Sequence, residues 1–163
     1  MTATLEDAIA IALEVHRGQV DKAAEVYIQH PLRLMLGMTT EAERMVAVLH
    51  DVVEDSEDTS LESLRKRGFP EEVVAAVDCV TRREGESDQE RETYEQFIER
   101  IKPNPLARRV KIADLRDNLR LDRIPNPQPK DVKRLERYRK ALDRPLKAQA
   151  ERCRSEFGRG PEG

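Results

Sequence analysis

Apolar residues recur along this chain at spacings of three and four, the pattern of helices that pack on one side. Between Thr4 and Arg17 the periodic residues are Leu5, Ile9, Ala12 and Leu13, with Thr4 placed to cap, Asp7 three residues on and Gly18 closing the segment. His16 lies on the same apolar face, where a packing or supporting role is expected. Gln19 to Gln29 has no clean period. His30-Pro31 opens a second helix through Leu32, Leu34, Met35 and Leu36, with Pro31 in its first turn. After a break at Gly37 to Thr40, where Thr40 can cap, a central helix is predicted from Glu41 to Glu54. In it Met45, Val46, Val48, Leu49, Val52 and Val53 fall on one side, with His50, Asp51, Glu54 and Asp55 roughly opposite. One face is built to pack and the other carries chemistry.

Further helices are predicted over Ser60 to Lys66, Glu71 to Arg82, Glu92 to Ile101, Leu106 to Leu121 and Lys130 to Arg152. Gly68 to Pro70 reads as a turn, Arg83 to Arg91 as a mobile polar loop, and Pro125, Pro127 and Pro129 as a stiff connector. The expected architecture is an all-α, compact single-domain bundle over residues 1–152, followed by a flexible tail over 153–163.

Composition narrows the classes. A chain of 163 residues buries a core without staples, and 37% charged residues give it a heavily solvated surface. Aromatics at 4% and no Trp suit helices better than sheets. The net charge of -3 offers no general attraction to nucleic acid or membrane, so a phosphate-bearing ligand needs a local site. The basic residues of the last helix, Arg134 and Arg137 among them, are interspersed with acids, which favours a solvated face over nucleic-acid binding. Cys79 and Cys153 stand apart in no metal-like spacing, as suits a reducing cytosol. With no basic-then-apolar leader and no apolar run of about 18 residues, a cytoplasmic protein without a membrane span is expected.

Two of the three histidines, His30 and His50, are read jointly with Asp51 and Asp114 as a set of two imidazoles and two carboxylates. Such a set suits Mn²⁺, Fe²⁺ or Zn²⁺, and a site with open positions acidifies water without any Ser or Cys nucleophile. Glu54 and Asp55 follow one turn later, placed to orient that water or pass its proton. Acids at the end of a helix oppose its macrodipole, at a cost of roughly 0.3 to 1 kcal/mol each, and such a conflict usually marks a functional demand. Lys111 and Asn118, near Asp114, are candidates for holding substrate.

The order HRGQ at 16–19, YIQHP at 27–31, VLHDVVED at 48–55 and VKIADLRDNL at 110–119 resembles the HD-domain superfamily of metal-dependent phosphohydrolases. It is most similar to the hydrolase domain of the RelA/SpoT-like family, which cleaves the 3′-pyrophosphate from (p)ppGpp in the stringent response. The resemblance runs from about Leu5 to Ile124. It implies a helical fold, Mn²⁺ on His30, His50, Asp51 and Asp114, a catalytic Glu54-Asp55 pair, and Lys22, Tyr27, Lys111 and Asn118 toward the nucleotide. At this length no synthetase domain is expected after it.

One segment departs from the pattern. Where the family typically has Arg-Lys-Ser-Gly-x-Pro before the Tyr-Ile, this chain has Asp21, Lys22, Ala23, Ala24, Glu25 and Val26. A carboxylate in place of guanidinium neither stacks on a base nor attracts phosphate, so recognition of guanine is expected to differ. Two other functions stay open on the sequence alone. One is an HD hydrolase of a different nucleotide or phosphoester; the other is a non-catalytic module that binds a nucleotide or a protein. Oligomeric state is open.

Overall fold

The computed structural model describes residues 2–83, 92–120 and 128–142. Within them are eight helices: α1 (Leu5–Val15), α2 (Gln29–Leu36), α3 (Glu41–Leu49), α4 (Leu61–Lys66), α5 (Glu71–Val80), α6 (Tyr94–Ile101), α7 (Pro105–Asn118) and α8 (Pro129–Ala141). The all-α expectation is met, and no strand occurs among the described residues, only a single antiparallel bridge between Val20 and Val26. The expected tail, the connector from Pro125 to Pro127 and most of the loop from Arg83 to Arg91 lie outside the described residues, as does the last helix beyond Leu142.

The starts follow local chemistry. Thr4, Thr40, Ser60 and Thr93 each accept from the backbone N–H three residues on, and the side chain there returns a bond to the cap. Asn104 caps α7 ahead of Pro105, whose missing N–H costs nothing in a first turn.

Helix α3 is the axis of the fold and packs against α1, α2, α5 and α7. Its residues Met45, Val46, Ala47, Val48 and Leu49 are all buried, so it is covered on every side. The expected helix to Glu54 is therefore shortened: α3 ends at Leu49 with its second half buried, and His50, Asp51 and Glu54 follow it in a turn. The cause is His50. Its Nδ1 lies 2.9 Å from the Ala47 carbonyl oxygen, the acceptor that the Asp51 amide would use in a continued helix. The chain then runs through turns, with Val52 N–H donating to Leu49 O at 3.2 Å and Asp55 N–H to Asp51 O at 3.0 Å. Val52 stays fully buried and pins this turn to the core.

One guanidinium organises the far end of α5. Arg100 of α6 donates to the Asp78, Cys79 and Thr81 carbonyls at 2.8, 3.2 and 2.8 Å, the orphan acceptors of a helix C-terminus. The same group forks onto the Glu92 carboxylate at 2.8 Å on both oxygens. No helix among the described residues is long and apolar enough to cross a membrane.

Candidate metal centre and its cavity

Three elements deliver the donors. His30 is the second residue of α2, His50 and Asp51 follow the end of α3, and Asp114 sits in the middle of α7. His30, His50 and Asp114 are buried, at 3%, 3% and 5% exposure. His30, His50 and Asp51 offer ligand atoms that all lie within 4.8 Å of one another. Asp114 joins them through Oδ1, 3.2 Å from His30 Nε2 and 4.0 Å from His50 Nε2. The four residues grouped on sequence are thus brought together from positions up to 84 apart in the chain.

The tautomer of His50 is set by the backbone. A carbonyl only accepts, so Nδ1 carries the proton toward Ala47 and a neutral ring presents its lone pair at Nε2. That atom is buried without a hydrogen bond among the described residues, although Asp51 Oδ2 lies 2.9 Å away. A lone pair facing two carboxylates demands a cation between them. When a proton fills that role, burial opposes the charge, but Asp51 and Asp114 outweigh it and raise the imidazole to about 9.

The carboxylates are held ionised by their neighbours. Burial pushes both upward, yet His50 beside Asp51 and Lys111 beside Asp114 hold them well below the usual carboxylate range. Lys111 Nζ lies 2.7 Å from Asp114 Oδ2, and Asn118 Nδ2 donates to Oδ1 at 2.5 Å. The Tyr27 hydroxyl donates to Asp51, and burial together with Asp51's charge keeps it firmly protonated. Two buried imidazoles and two ionised carboxylates, with an orphaned Nε2 among them, fit a divalent cation.

A cavity of about 560 Å³ opens beside this cluster. Its lining includes the acids Asp51, Glu54 and Asp114, the bases Arg82, Lys111, Arg134 and Arg137, and the aromatic rings of Tyr94, Phe97 and Tyr138. Lys22, Tyr27 and Asn118 also line it. Lys130, Lys133, Arg137, Arg139 and Lys140 of the last helix are exposed, as expected of a solvated face, while Arg134 is half-buried; Arg134 and Arg137 also line the cavity. Their spacing with Tyr138, at i, i+3 and i+4, was the available signal. Lys22 stands at the edge, 62% exposed and 3.8 Å from Asp131.

The adjacent acids diverge. Glu54 faces the cavity, accepts the Arg82 backbone N–H, and is pushed above its ordinary value by burial. Asp55 is not on the cavity wall; it accepts from Gln19 Nε2 at 3.0 Å and lies 3.6 Å from His16 Nδ1. Successive residues in a helical turn point about 100° apart, and here Glu54 meets the cavity while Asp55 meets Gln19.

The unusual segment makes a tight loop. Asp21 Oδ1 accepts from the Ala23 and Glu25 amides at 2.8 and 3.1 Å, and Tyr27 N–H closes onto Gln19 O at 2.9 Å. Asp21 lines the cavity while spending one oxygen on its own loop. Ala24 has φ of 62°, the left-handed region, at the position where the family pattern carries Gly. Left-handed backbone costs a non-glycine residue roughly 1–2 kcal/mol, and Gly gives back about 0.4–1 through unfolded-chain entropy. Ala24→Gly is therefore expected to raise Tm by about 2 °C, read by thermal unfolding; an unchanged or lower Tm speaks against this loop backbone.

No family model matches the chain. A GTP pyrophosphokinase of Streptomyces coelicolor is 38% identical over 125 residues, 71% of this chain and 14% of that protein. A guanosine-3′,5′-bis(diphosphate) 3′-pyrophosphohydrolase of Aquifex aeolicus is 32% identical over 123 residues, 71% of this chain and 17% of that protein. The chain thus spans less than a fifth of these curated relatives. A solved metazoan ortholog of SpoT that hydrolyzes ppGpp superposes with a TM-score of 0.69 at 25% identity, covering 97% of both chains. Sequence and fold agree: the chain belongs to the RelA/SpoT family and has the fold of its all-helical, HD-type hydrolase domain.

Proposed function

We propose that this protein is a metal-dependent phosphohydrolase that cleaves a pyrophosphorylated guanosine nucleotide such as (p)ppGpp at the 3′-pyrophosphate, in the cytoplasm, as part of the stringent response. The observation that carries this reading is the buried His50 Nε2, its tautomer fixed by Ala47 and aimed with His30 at Asp51 and Asp114. Those four residues would hold the ion, Mn²⁺ in this reading with Fe²⁺ or Zn²⁺ as alternatives. A bound divalent ion supplies Lewis acidity toward a phosphoryl oxygen and lowers the pKa of water.

The rest falls to the chain. Glu54, raised by burial and set on the cavity wall, accepts the proton of the attacking water. Asp55 supports the same turn through Gln19. Lys111, kept charged by Asp114, and Asn118 stand next to the reacting phosphoryl group, while Lys22 and Tyr27 border the nucleotide. Bond cleavage between the 3′ oxygen and phosphorus consumes one water and releases pyrophosphate.

A second reading, the same chemistry on another nucleotide, is favoured by Asp21 on the cavity wall. One assay separates the two. Purified protein with Mn²⁺ is offered ppGpp, NADPH and simple nucleotides, and pyrophosphate or phosphate release is measured with and without chelator. Chelator-sensitive release of pyrophosphate from ppGpp is expected; turnover of another nucleotide alone transfers the reading to that substrate, and no bound metal overturns both.

A further inference from the structure

The two histidines of the centre are oriented in different ways. His50 leans on a neutral carbonyl three residues before it, whereas His30 Nδ1 lies 2.7 Å from Asp117 Oδ2, 87 residues away on α7. Asp117 is held in turn by Arg33, one helical turn beyond His30 on α2. The guanidinium forks onto it, Nε to Oδ1 and Nη2 to Oδ2, each at 3.0 Å. Arg120 adds a more distant charge at 4.0 Å. The Asp117 side chain is 10% exposed and that of His30 3%, so the contact is sheltered from water.

We infer that Asp117, locked by Arg33, is the positioning residue for His30. An ionised carboxylate only accepts, and Asp117 at 2.7 Å stands closer to the ring than Asp114 Oδ1 at 3.2 Å from Nε2, so Asp117 keeps the proton of a neutral imidazole on Nδ1 and leaves the lone pair on Nε2. The carboxylate also makes the ring a stronger donor, the arrangement by which an outer acid tunes a metal-binding histidine. The bidentate fork fixes the plane of the carboxylate, and through it the plane of the ring. The pair therefore joins α2 to α7 and aligns the donor atoms that these two helices bring to the centre. Neither residue stands out on sequence: Arg33 sits in an apolar run and Asp117 beside the better-marked Asn118.

The inference rests on the metal reading, and its test separates the two. In the metal-free protein, imidazole ¹⁵N spectra of the neutral ring report the tautomer of His30 directly. Wild type is expected to show the Nδ1–H form and Asp117→Ala to shift toward the Nε2–H form, with Asp114 as the remaining acceptor. Mn²⁺ affinity, read by the free-ion paramagnetic resonance signal, is expected to fall about 10- to 100-fold in Asp117→Ala. Arg33→Gln, which leaves the carboxylate in place, is expected to lose less than Asp117→Ala at equal or greater loss of Tm; a plain helix-to-helix tie would make the two losses track Tm. Asp117→Asn, which keeps an acceptor for Nδ1–H, is expected to hold the tautomer and recover part of the affinity, and it serves as the working variant if Asp117→Ala does not fold. Wild-type tautomer and wild-type Mn²⁺ affinity in Asp117→Ala overturn the inference. If wild type itself takes up no Mn²⁺, the metal reading falls and the tautomer spectra alone decide for or against Asp117.

Discussion

His50→Ala is expected to lower chelator-sensitive turnover by a factor of at least about 10³ and to abolish tight Mn²⁺ binding. The substitution removes the donor whose direction is fixed by Ala47, and it leaves Asp51 and Asp114 facing each other without the group that neutralises them. Lewis-acid stabilisation of a phosphoryl transition state is worth several kcal/mol, and each 1.4 kcal/mol is tenfold in rate. His50 lies outside α3 proper, and the residues that fill the core there, Val48, Leu49 and Val52, are untouched. The variant is expected to keep the helical circular dichroism of the wild type. Turnover that stays within tenfold of wild type, in a folded variant, removes this cluster from the reaction.

The second large effect is expected at Glu54. Glu54→Gln keeps the shape and an acceptor for the Arg82 amide but cannot take a proton, so kcat falls by about 10²–10⁴ while Mn²⁺ affinity changes little. Because burial raises this carboxyl, the acid limb of wild-type kcat lies above the ordinary glutamate range. Activity drops as pH falls through that limb, since the base must be ionised, and the limb disappears in the variant. Asp55→Asn is the control: its oxygen is engaged by Gln19 beside His16, away from the cavity wall, so a smaller loss is expected. Equal losses at Glu54 and Asp55 restore the pair as a single unit.

These outcomes bear on what periodicity can reveal. The spacing of apolar residues located the helices because burial leaves a direct trace in the order of residues: every described helix matches its predicted span closely except at the ends of α3 and α7, and the predicted end of α8 lies outside the described residues. His30, His50, Asp51 and Asp114 were legible for a chemical reason, since ligand types so concentrated are costly to bury without a partner. The end of α3 was not legible, because it depends on a ring nitrogen competing with an amide for one carbonyl. Arg33 and Asp117 were not either. Their pairing is a relation between α2 and α7, and no local window contains both. That Arg134 and Arg137 line the cavity was not legible, because which side of α8 meets it is decided by its neighbours.

The Arg100 clamp has a consequence for how this scaffold can change. One guanidinium holds the carbonyls before Arg82 and the carboxylate of Glu92, so both anchors of residues 84–91 are fastened to the same point. A substitution at Arg100 therefore releases both anchors at once, and with them the Arg82 amide that Glu54 accepts, although Arg100 itself does not line the cavity.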